Sequence, residues 1–296
     1  MKLSDMGERA IIGKLGRFLD IGDDAACIRM GDRFLVMSTD AIHAPTHIPK
    51  EMTPQQIGKF IVTVNLSDMA AMGAKPLAFL LSYGGPDTEF TRFKKIIKSA
   101  QKQCRKFKID LVGGDTKEMK ELTLTGCAVG TAKRPVLRSG ARPGDIVAVT
   151  GELGAAGACF ELLGKKRRPN RALLKAALEP EPKIKEGILL AKHANSMTDI
   201  SDSLAVSIYS IAERSGVGIK IDIDRIPMSS IDHALYSGGD YQLLFTMPEK
   251  NFTRLREVTN STRIGTVTRA GGISATRKGR EFRIKHKGYG HFGRNR

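Results

Sequence analysis

The chain has 296 residues, 41% of them hydrophobic and 27% charged, and a formal net charge of +17 at pH 7. Such a length and mixture suit one large or two ordinary folded domains with ample core and exclude a disordered chain. No apolar run approaches a membrane span, Met1-Lys2-Leu3-Ser4-Asp5 lacks a signal-peptide pattern, and the four scattered cysteines form no C-x-x-C pair, so a cytoplasmic protein with reduced thiols is expected. In chain order, strands are predicted over 34–37 and 77–81 and helices over 53–72 and 91–107. Further strands follow over 110–112 and 122–129. The segment R-P-V-L-R-S-G-A-R-P-G-D (134–145) then reads as a connection. It divides the chain into an N-terminal domain of residues 1–136 and a C-terminal domain of residues 137–296. The second half opens with a strand over 146–150, followed by helices over 155–163, 170–178 and 183–193. A strand ending at Asp199, a helix over 204–215 and strands over 219–223, 241–247 and 263–268 complete the pattern. Alternation of this kind predicts a two-domain α/β or α+β architecture.

The helix over 53–72 carries the most informative residue. Thr53 is its expected N-cap, Pro54 takes the first helical position, Gln56 completes a capping box and Gly73 supplies the stop. Within it Ile57, Ile61, Val64, Asp68 and Met72 recur at spacings of three and four, one stripe of a helix. A carboxylate buried in such a stripe costs several kcal/mol unless it is paired or coordinates a metal.

Other acidic clusters adjoin apolar stretches in the same way: G-D-D-A-A (22–26), S-T-D (38–40), G-G-D-T (113–116) and D-I-S-D (199–202). Taken singly, an Asp beside Gly or Ser is a turn or cap residue, as Asp23 or Asp202 would be. Taken as a set with Asp68, they suggest a polyanion site built on Mg²⁺, which prefers one or two carboxylates per ion with phosphate oxygens and waters completing its shell. Asp24, Asp40, Asp68, Asp199 and Asp202 are the candidate ligands. Ser38, Thr39, Thr116 and Ser201 are available for hydroxyl or backbone contacts. No standard phosphate loop competes with this reading. G-E-R-A-I-I-G-K-L (7–15) has a spacer one residue too long for a P-loop, and G-V-G-I-K-I (216–221) lacks the third glycine of a dinucleotide fingerprint. G-E-L-G-A-A-G (151–157) is either an anion-facing turn or simply a helix start.

The positive charge lies elsewhere. Residues 92–108 hold eight Lys or Arg and no acid, and residues 263–296 hold ten against Glu281 alone. In the first stretch Phe93, Ile96, Ile97, Ala100, Cys104 and Phe107 share one helical face, so the basic residues read as a solvated surface. Without a recognition motif the charge alone does not establish a nucleic-acid partner, and none is expected.

Together G-D-D-A-A, S-T-D with His47 seven residues on, N-L-S-D-M-A-A-M-G-A-K-P (65–76), L-V-G-G-D-T (111–116), L-R-S-G-A-R-P-G-D (137–145), T-G-E-L-G-A-A-G (150–157), D-I-S-D, G-V-G (216–218) and G-Y-G-H-F (288–292) resemble the thiamine-monophosphate kinases, within the aminoimidazole ribonucleotide synthetase superfamily. The resemblance runs in order over essentially the whole chain. It implies the two-domain fold of that superfamily, with an N-terminal mixed-sheet domain that forms a barrel in a homodimer and a C-terminal α/β domain that completes the active site. The implied reaction is ATP- and Mg²⁺-dependent phosphorylation of thiamine monophosphate to thiamine diphosphate. Implied metal ligands are Asp24, Ser38, Thr39, Asp40, Asp68, Asp199 and Asp202, the five aspartates being the catalytic set. Implied ATP contacts are Gly114, Asp115, Arg138 and Ser201, and implied substrate contacts are His47 and Tyr289.

One segment departs from the resemblance. The family pattern G-G-E-D-Y-E-L-L-F is S-G-G-D-Y-Q-L-L-F here (237–245), with Gly239 where the family has a substrate-contacting Glu and Gln242 at the later Glu. Asp240 is one residue out of phase to replace the lost carboxylate, because a one-residue shift in a strand turns the side chain to the other face. The rival readings are a related ATP-dependent enzyme with another phosphorylated acceptor and a basic nucleic-acid-binding protein that has kept a degenerate nucleotide site.

Overall fold

Thr53 Oγ1 accepts from the Gln56 amide at 3.3 Å, and the Gln56 side chain accepts from the Thr53 amide at 2.9 Å. The capping box thus starts a long helix at Pro54, and the left-handed Gly73 (φ +62°) lets the chain turn away after it. In the computed structural model, which describes residues 2–228, 230–269 and 271–292, this helix lies at the centre of the molecule.

The N-terminal half runs α1 (Glu8–Leu15), β1 (Ala26–Met30), β2 (Arg33–His43), the short α2 (Ala44–His47), α3 (Pro54–Ala71), β3 (Lys75–Gly85), α4 (Phe90–Lys106), β4 (Asp110–Glu118) and β5 (Thr123–Ala132). Five strands form one sheet in the order β1-β2-β5-β3-β4, parallel only between β3 and β4. The sheet is open, with β1 and β4 at its edges. The C-terminal half runs β6 (Ile146–Thr150), α5 (Ala155–Gly164), α6 (Arg171–Leu178), α7 (Ile184–Leu190), β7 (Ser196–Ile200), α8 (Leu204–Ser215), β8 (Gly218–Asp222), α9 (Ile231–Tyr236), β9 (Gln242–Met247), α10 (Glu249–Leu255), β10 (Ser261–Thr268), β11 (Gly272–Arg277) and β12 (Arg280–Arg283). Its seven strands follow the order β12-β11-β8-β10-β6-β9-β7. β6 and β7 are buried along their whole length, which is why they read as unbroken rather than alternating segments. Among the described residues no helix is long and apolar enough to cross a membrane, and all four cysteines are free.

Helix α3 packs on β2, β3 and β5 on one side and on α7, β7 and β9 on the other. Ile57, Leu66 and Met69 of α3 therefore share one core with Leu190, Met197 and Phe245 of the second half. A second core lies under α8, where Leu204, Ile208 and Ile211 meet Val147, Ile219 and Ile264. Strand β2 outruns its predicted end at residue 37, pairing with β5 as far as His43. The polar S-T-D run hid the strand because it interrupts the apolar pattern that marks Phe34–Met37. β1, β11, β12, α1, α9 and α10 are short elements with weak periodicity, and they were not predicted.

The α3–α4 contact depends on Gly58. A Cβ there would lie 2.1 Å from the Ile96 carbonyl oxygen, so the two helices touch backbone to side-chain-free backbone. Gly58→Ala is expected to force them apart and to cost about 1–3 kcal/mol. The measurement is urea unfolding, read as a lower midpoint at unchanged slope.

Candidate active site

Three residues near the end of α3 hold it to β2 and to β7, the last of these bonds joining the two halves. Asn65 Oδ1 accepts from the Asp40 amide of β2 at 2.9 Å, and the Asn65 side-chain amide donates to Ile61 O at 2.9 Å. Ser67 Oγ donates to Asp199 Oδ2 of β7 at 2.6 Å. The Asp68 carboxylate accepts from the Ser38 hydroxyl of β2. Ile57, Ile61, Val64 and Met72 are buried as the stripe requires, while Asp68 keeps a partly exposed edge.

Asp68 does not stand alone. Carboxylate oxygens of Asp24, Asp68 and Asp199 all lie within 4.8 Å of one another. Asp24 Oδ1 receives Arg138 Nη2 at 2.7 Å and Thr198 Oγ1 at 2.8 Å, and Arg138 Nε reaches Thr198 Oγ1 at 3.2 Å. Asp24 Oδ2 is buried with no partner among the described residues. An orphaned carboxylate oxygen normally costs its full desolvation penalty, so this one calls for a cation.

Electrostatics agrees with that demand. Burial, followed by Asp40, Asp199 and Asp24, pushes the Asp68 carboxyl well above its ordinary range. Burial and then Asp24 raise Asp199 to about 7, against the pull of Ser67, Arg138 and Ser201. Asp40 is raised by its surroundings and then by Asp24 and Glu8, although its side chain is open to solvent. Asp202 rises to about 6 through burial and then Glu8. Burial opposes the Arg138 charge, but Asp24 and then Asp199 and Asp68 more than offset it. A hard divalent cation with oxygen ligands fits this donor set.

The remaining candidates fall into three places. By strand alternation Ser38 and Asp40 face α3, whereas the Thr39 side chain points the other way and donates to Gly126 O at 2.9 Å. Ser203 caps α8 by accepting from the Val206 amide, which leaves Asp202 free of that duty. Ser201 Oγ donates to Asp199 Oδ1 at 3.0 Å. The Asp202 carbonyl accepts from the Tyr289 amide at 3.1 Å, bringing the C-terminal segment to the cluster. There Tyr289 lies 5.9 Å from His47, centroid to centroid, and His291 lies 5.2 Å from each of them. Burial, then His291 and His43, lower the His47 pKa, so its ring is neutral near pH 7. Gly114 and Asp115 sit instead on edge strand β4, separated from β2 by β3 and β5, about 14 Å across three strand spacings. They line a separate pocket of about 570 Å³ with Tyr83, Phe93 and Val112. Within one chain they do not join the acidic cluster.

The departing segment is accounted for by its backbone. Asp240 accepts from the Gly154 and Ala156 amides at 2.8 and 3.4 Å, so it caps α5 and is not free to replace a Glu at 239. The same bonds make G-E-L-G-A-A-G a capped helix start rather than an anion site. Gly239 has φ +96°, and a Cβ there would lie 3.3 Å from both Ala156 Cβ and Phe160 Cε2. Gln242 Oε1 accepts from Thr150 Oγ1 at 2.9 Å.

Several participants carried no signal in the sequence. α1 clamps the C-terminal segment: the Glu8 amide donates to His291 O at 3.1 Å, Glu8 Oε2 accepts from the His291 amide at 2.8 Å, and Arg9 Nη2 donates to Tyr289 O at 3.3 Å. Asn65 and Ser67 lay within the quoted N-L-S-D motif, and their two directions on a helix were the available clue. Thr198 was visible only as a polar residue in an apolar strand.

The match to known proteins spans both halves. AIR synthase related protein, N-terminal domain, covers residues 22–132, and AIR synthase related protein, C-terminal domain, covers residues 142–278. Thiamine-monophosphate kinase of Pyrococcus horikoshii is 37% identical over 281 residues, covering 92% of this chain and 90% of that one. The chain belongs to the thiamine-monophosphate kinase family. The enzyme of that name from Methanospirillum hungatei is 39% identical, with 91% and 92% of the two chains covered. AaThiL, solved in complex with AMPPCP and TMP, superposes with a TM-score of 0.91 at 31% identity, covering 98% of this chain and 99% of its own.

Two measurements probe the geometry. Raised folded-state pKa values mean that the folded protein binds more protons than the unfolded chain between about pH 4 and pH 7. Without divalent cations, stability is therefore expected to fall as pH rises through that window. Mg²⁺ should raise Tm by a few degrees at about pH 7.5 and little at about pH 5, read by thermal scans in EDTA and in MgCl₂. Gly239→Glu forces an L-residue into the left-handed region and is expected to cost about 1–3 kcal/mol, measured as a lower Tm.

Proposed function

We propose that this chain transfers the γ-phosphoryl group of ATP to thiamine monophosphate, forming thiamine diphosphate and ADP in the cytoplasm. The observation that carries the reading is the Asp24–Asp68–Asp199 triad with its orphaned oxygen, set beside the His47–Tyr289–His291 patch in a chain of this family. The acceptor is already an ionised phosphate, so no general base is needed to make the nucleophile. An acceptor oxygen forms the new bond to the γ-phosphorus as the bridge to the β-phosphate breaks, and the difficulty is to bring two anions together.

Asp24, Asp68 and Asp199 would hold Mg²⁺, with Asp40, Asp202, Ser38 and the Thr39 backbone completing its surroundings. Bound there, the metal neutralises charge on phosphate oxygens and fixes their orientation. Arg138, held by Asp24, adds a fixed positive charge on the nucleotide side with Ser201. The neutral His47 and the partly exposed Tyr289 offer ring faces and edges to a flat, cationic heterocycle. Residues 1–136 would supply ATP, metal and dimer contacts, and residues 137–296 would complete the site.

Exposed apolar surface in the same half supports a homodimer. α3 and α4 cover one face of the five-stranded sheet, while Ile28, Met30, Leu77, Leu80 and Val112 remain exposed. Two such faces packed together would close a barrel and bury this apolar surface. The pocket holding Gly114 and Asp115 would then adjoin the second copy.

The test is incubation with ATP, Mg²⁺ and thiamine monophosphate, followed by chromatography for thiamine diphosphate. Product that requires both ATP and Mg²⁺ is expected, and Asp68→Asn should lower turnover at least about 100-fold while remaining folded. ATP binding without product would assign the chain another phosphorylated acceptor. Near-normal turnover by folded Asp68→Asn would remove the triad from the mechanism.

A further inference from the structure

Read locally, Asp23 is a turn residue of G-D-D-A-A, yet its carboxylate bonds far along the chain. Asp23 Oδ1 accepts from the Arg138 amide at 2.6 Å, a contact between positions 115 residues apart that joins the two halves. The Asp23 side chain is only 17% exposed, and the Arg214 guanidinium of α8 stands beside it, with Nη2 4.0 Å from Asp23 Oδ2. A Cβ on Gly22 would lie 3.0 Å from Arg214 Cζ, and Gly22 has φ +125°, so this guanidinium closes on the backbone just ahead of Asp23. At that distance and half exposed, the Arg214 pair contributes little, and the short bond to the Arg138 amide carries the contact.

Arg138 is fixed from both ends. Ser215 Oγ donates to the Arg138 carbonyl at 3.3 Å and accepts from the Ala141 amide at 3.1 Å, while the Leu137 carbonyl accepts from the Met197 amide of β7 at 3.1 Å. The guanidinium meets Asp24 Oδ1 and Thr198 Oγ1. Asp23 and Asp24 are consecutive, so one takes the backbone of Arg138 and the other its side chain. The guanidinium and the carboxylate triad are thereby referred to the same two residues. A tether between the halves could use any amide of residues 137–141. What sets this bond apart is that it falls on the residue whose guanidinium binds Asp24, a member of the triad. With its backbone freed, Arg138 would either leave Asp24 Oδ1 or draw Asp24 away from Asp68 and Asp199.

We propose that Asp23 is a positioning residue for nucleotide binding: its bond to the Arg138 amide aims the guanidinium at a phosphate oxygen of ATP while Asp24 stays in the triad. This assignment rests on the phosphoryl-transfer reading and adds a residue to its nucleotide side. The experiment is calorimetry with AMPPCP and MgCl₂ on the native chain, Asp23→Ala, Arg138→Ala and the double variant, and it needs no turnover. Loss of a charge-assisted bond to phosphate is expected to weaken AMPPCP binding about 10- to 100-fold in Arg138→Ala, and at least about fivefold in Asp23→Ala. On the Arg138→Ala background, Asp23→Ala is expected to change affinity by less than about twofold, because the amide remains but the guanidinium it aims is gone. A merely structural tie would lower Tm on both backgrounds and leave no such coupling. Asp23→Asn keeps an oxygen for the amide and should stay within about threefold of native affinity. If Asp23→Ala does not fold, Asp23→Ser, which also lacks the carboxylate, takes its place in the cycle. Affinity within about twofold of native in Asp23→Ala would overturn the proposal, as would equal losses on both backgrounds or in Asp23→Asn and Asp23→Ala. If the native chain binds AMPPCP but makes no thiamine diphosphate, the proposed reaction fails and the binding cycle alone decides Asp23. A native chain that does not bind AMPPCP overturns both.

Discussion

Everything around the site depends on α3 being buried on two sides while carrying three polar residues in its last turns. Asn65, Ser67 and Asp68 point to three different partners, Asp40 on β2, Asp199 on β7 and Ser38 on β2. An exposed helix would leave these groups to water and would position nothing. Because α3 is the helix shared by both sheets, its side chains set the separation of carboxylates that belong to different halves of the chain. Sheet register and helix packing thereby become one constraint.

That constraint has a cost which magnitudes make plain. Two ionised carboxylates 4.8 Å apart repel by about 3 kcal/mol at an effective dielectric constant near 20. Three such pairs exceed what the single guanidinium of Arg138 offsets, since it is engaged with Asp24 alone among the three. Burial and then the neighbouring carboxylates hold Asp68 and Asp199 above their ordinary range, a repulsion that a bound divalent cation would relieve. The chain's large positive charge does not relieve this, because α4 and the C-terminal strands present it to solvent away from the triad.

Legibility in the sequence followed the range of each interaction. The capping box, the stripe through Asp68 and the unbroken strand over 146–150 are local, and periodicity reports them directly. The joining of Asp24, Asp68 and Asp199 spans far more chain and was readable only because each motif departed from its local pattern. The clamp of Glu8 on His291 links positions 283 residues apart and leaves no periodic trace. Thr39 was grouped with its neighbours by motif, whereas alternation along β2 turns its side chain to the opposite face. Gly114 and Asp115 were likewise grouped by motif, but the strand order that separates them from the triad is set by pairings between distant segments.

The S-G-G-D-Y-Q segment shows how a site tolerates a missing side chain. Position 239 adopts φ +96°, which glycine occupies without strain and which a glutamate would occupy only at a cost. Asp240 spends its carboxylate on two α5 amides, and that anchoring fixes the turn whether or not 239 bears a side chain. Tyr241 (φ +48°) is then held in its strained conformation by backbone bonds, its own amide to Ile200 O and the Gly239 amide to Ser201 O, and not by a side chain at 239. The geometry beside the triad is therefore insulated from the substitution. What the substitution removes is one carboxylate from a region already crowded with raised carboxyl groups, so it lessens the repulsion there. In the proposed reaction, recognition of a cationic acceptor would pass to the clustered His47, Tyr289 and His291 rings, which would attract such a ring without adding another buried charge.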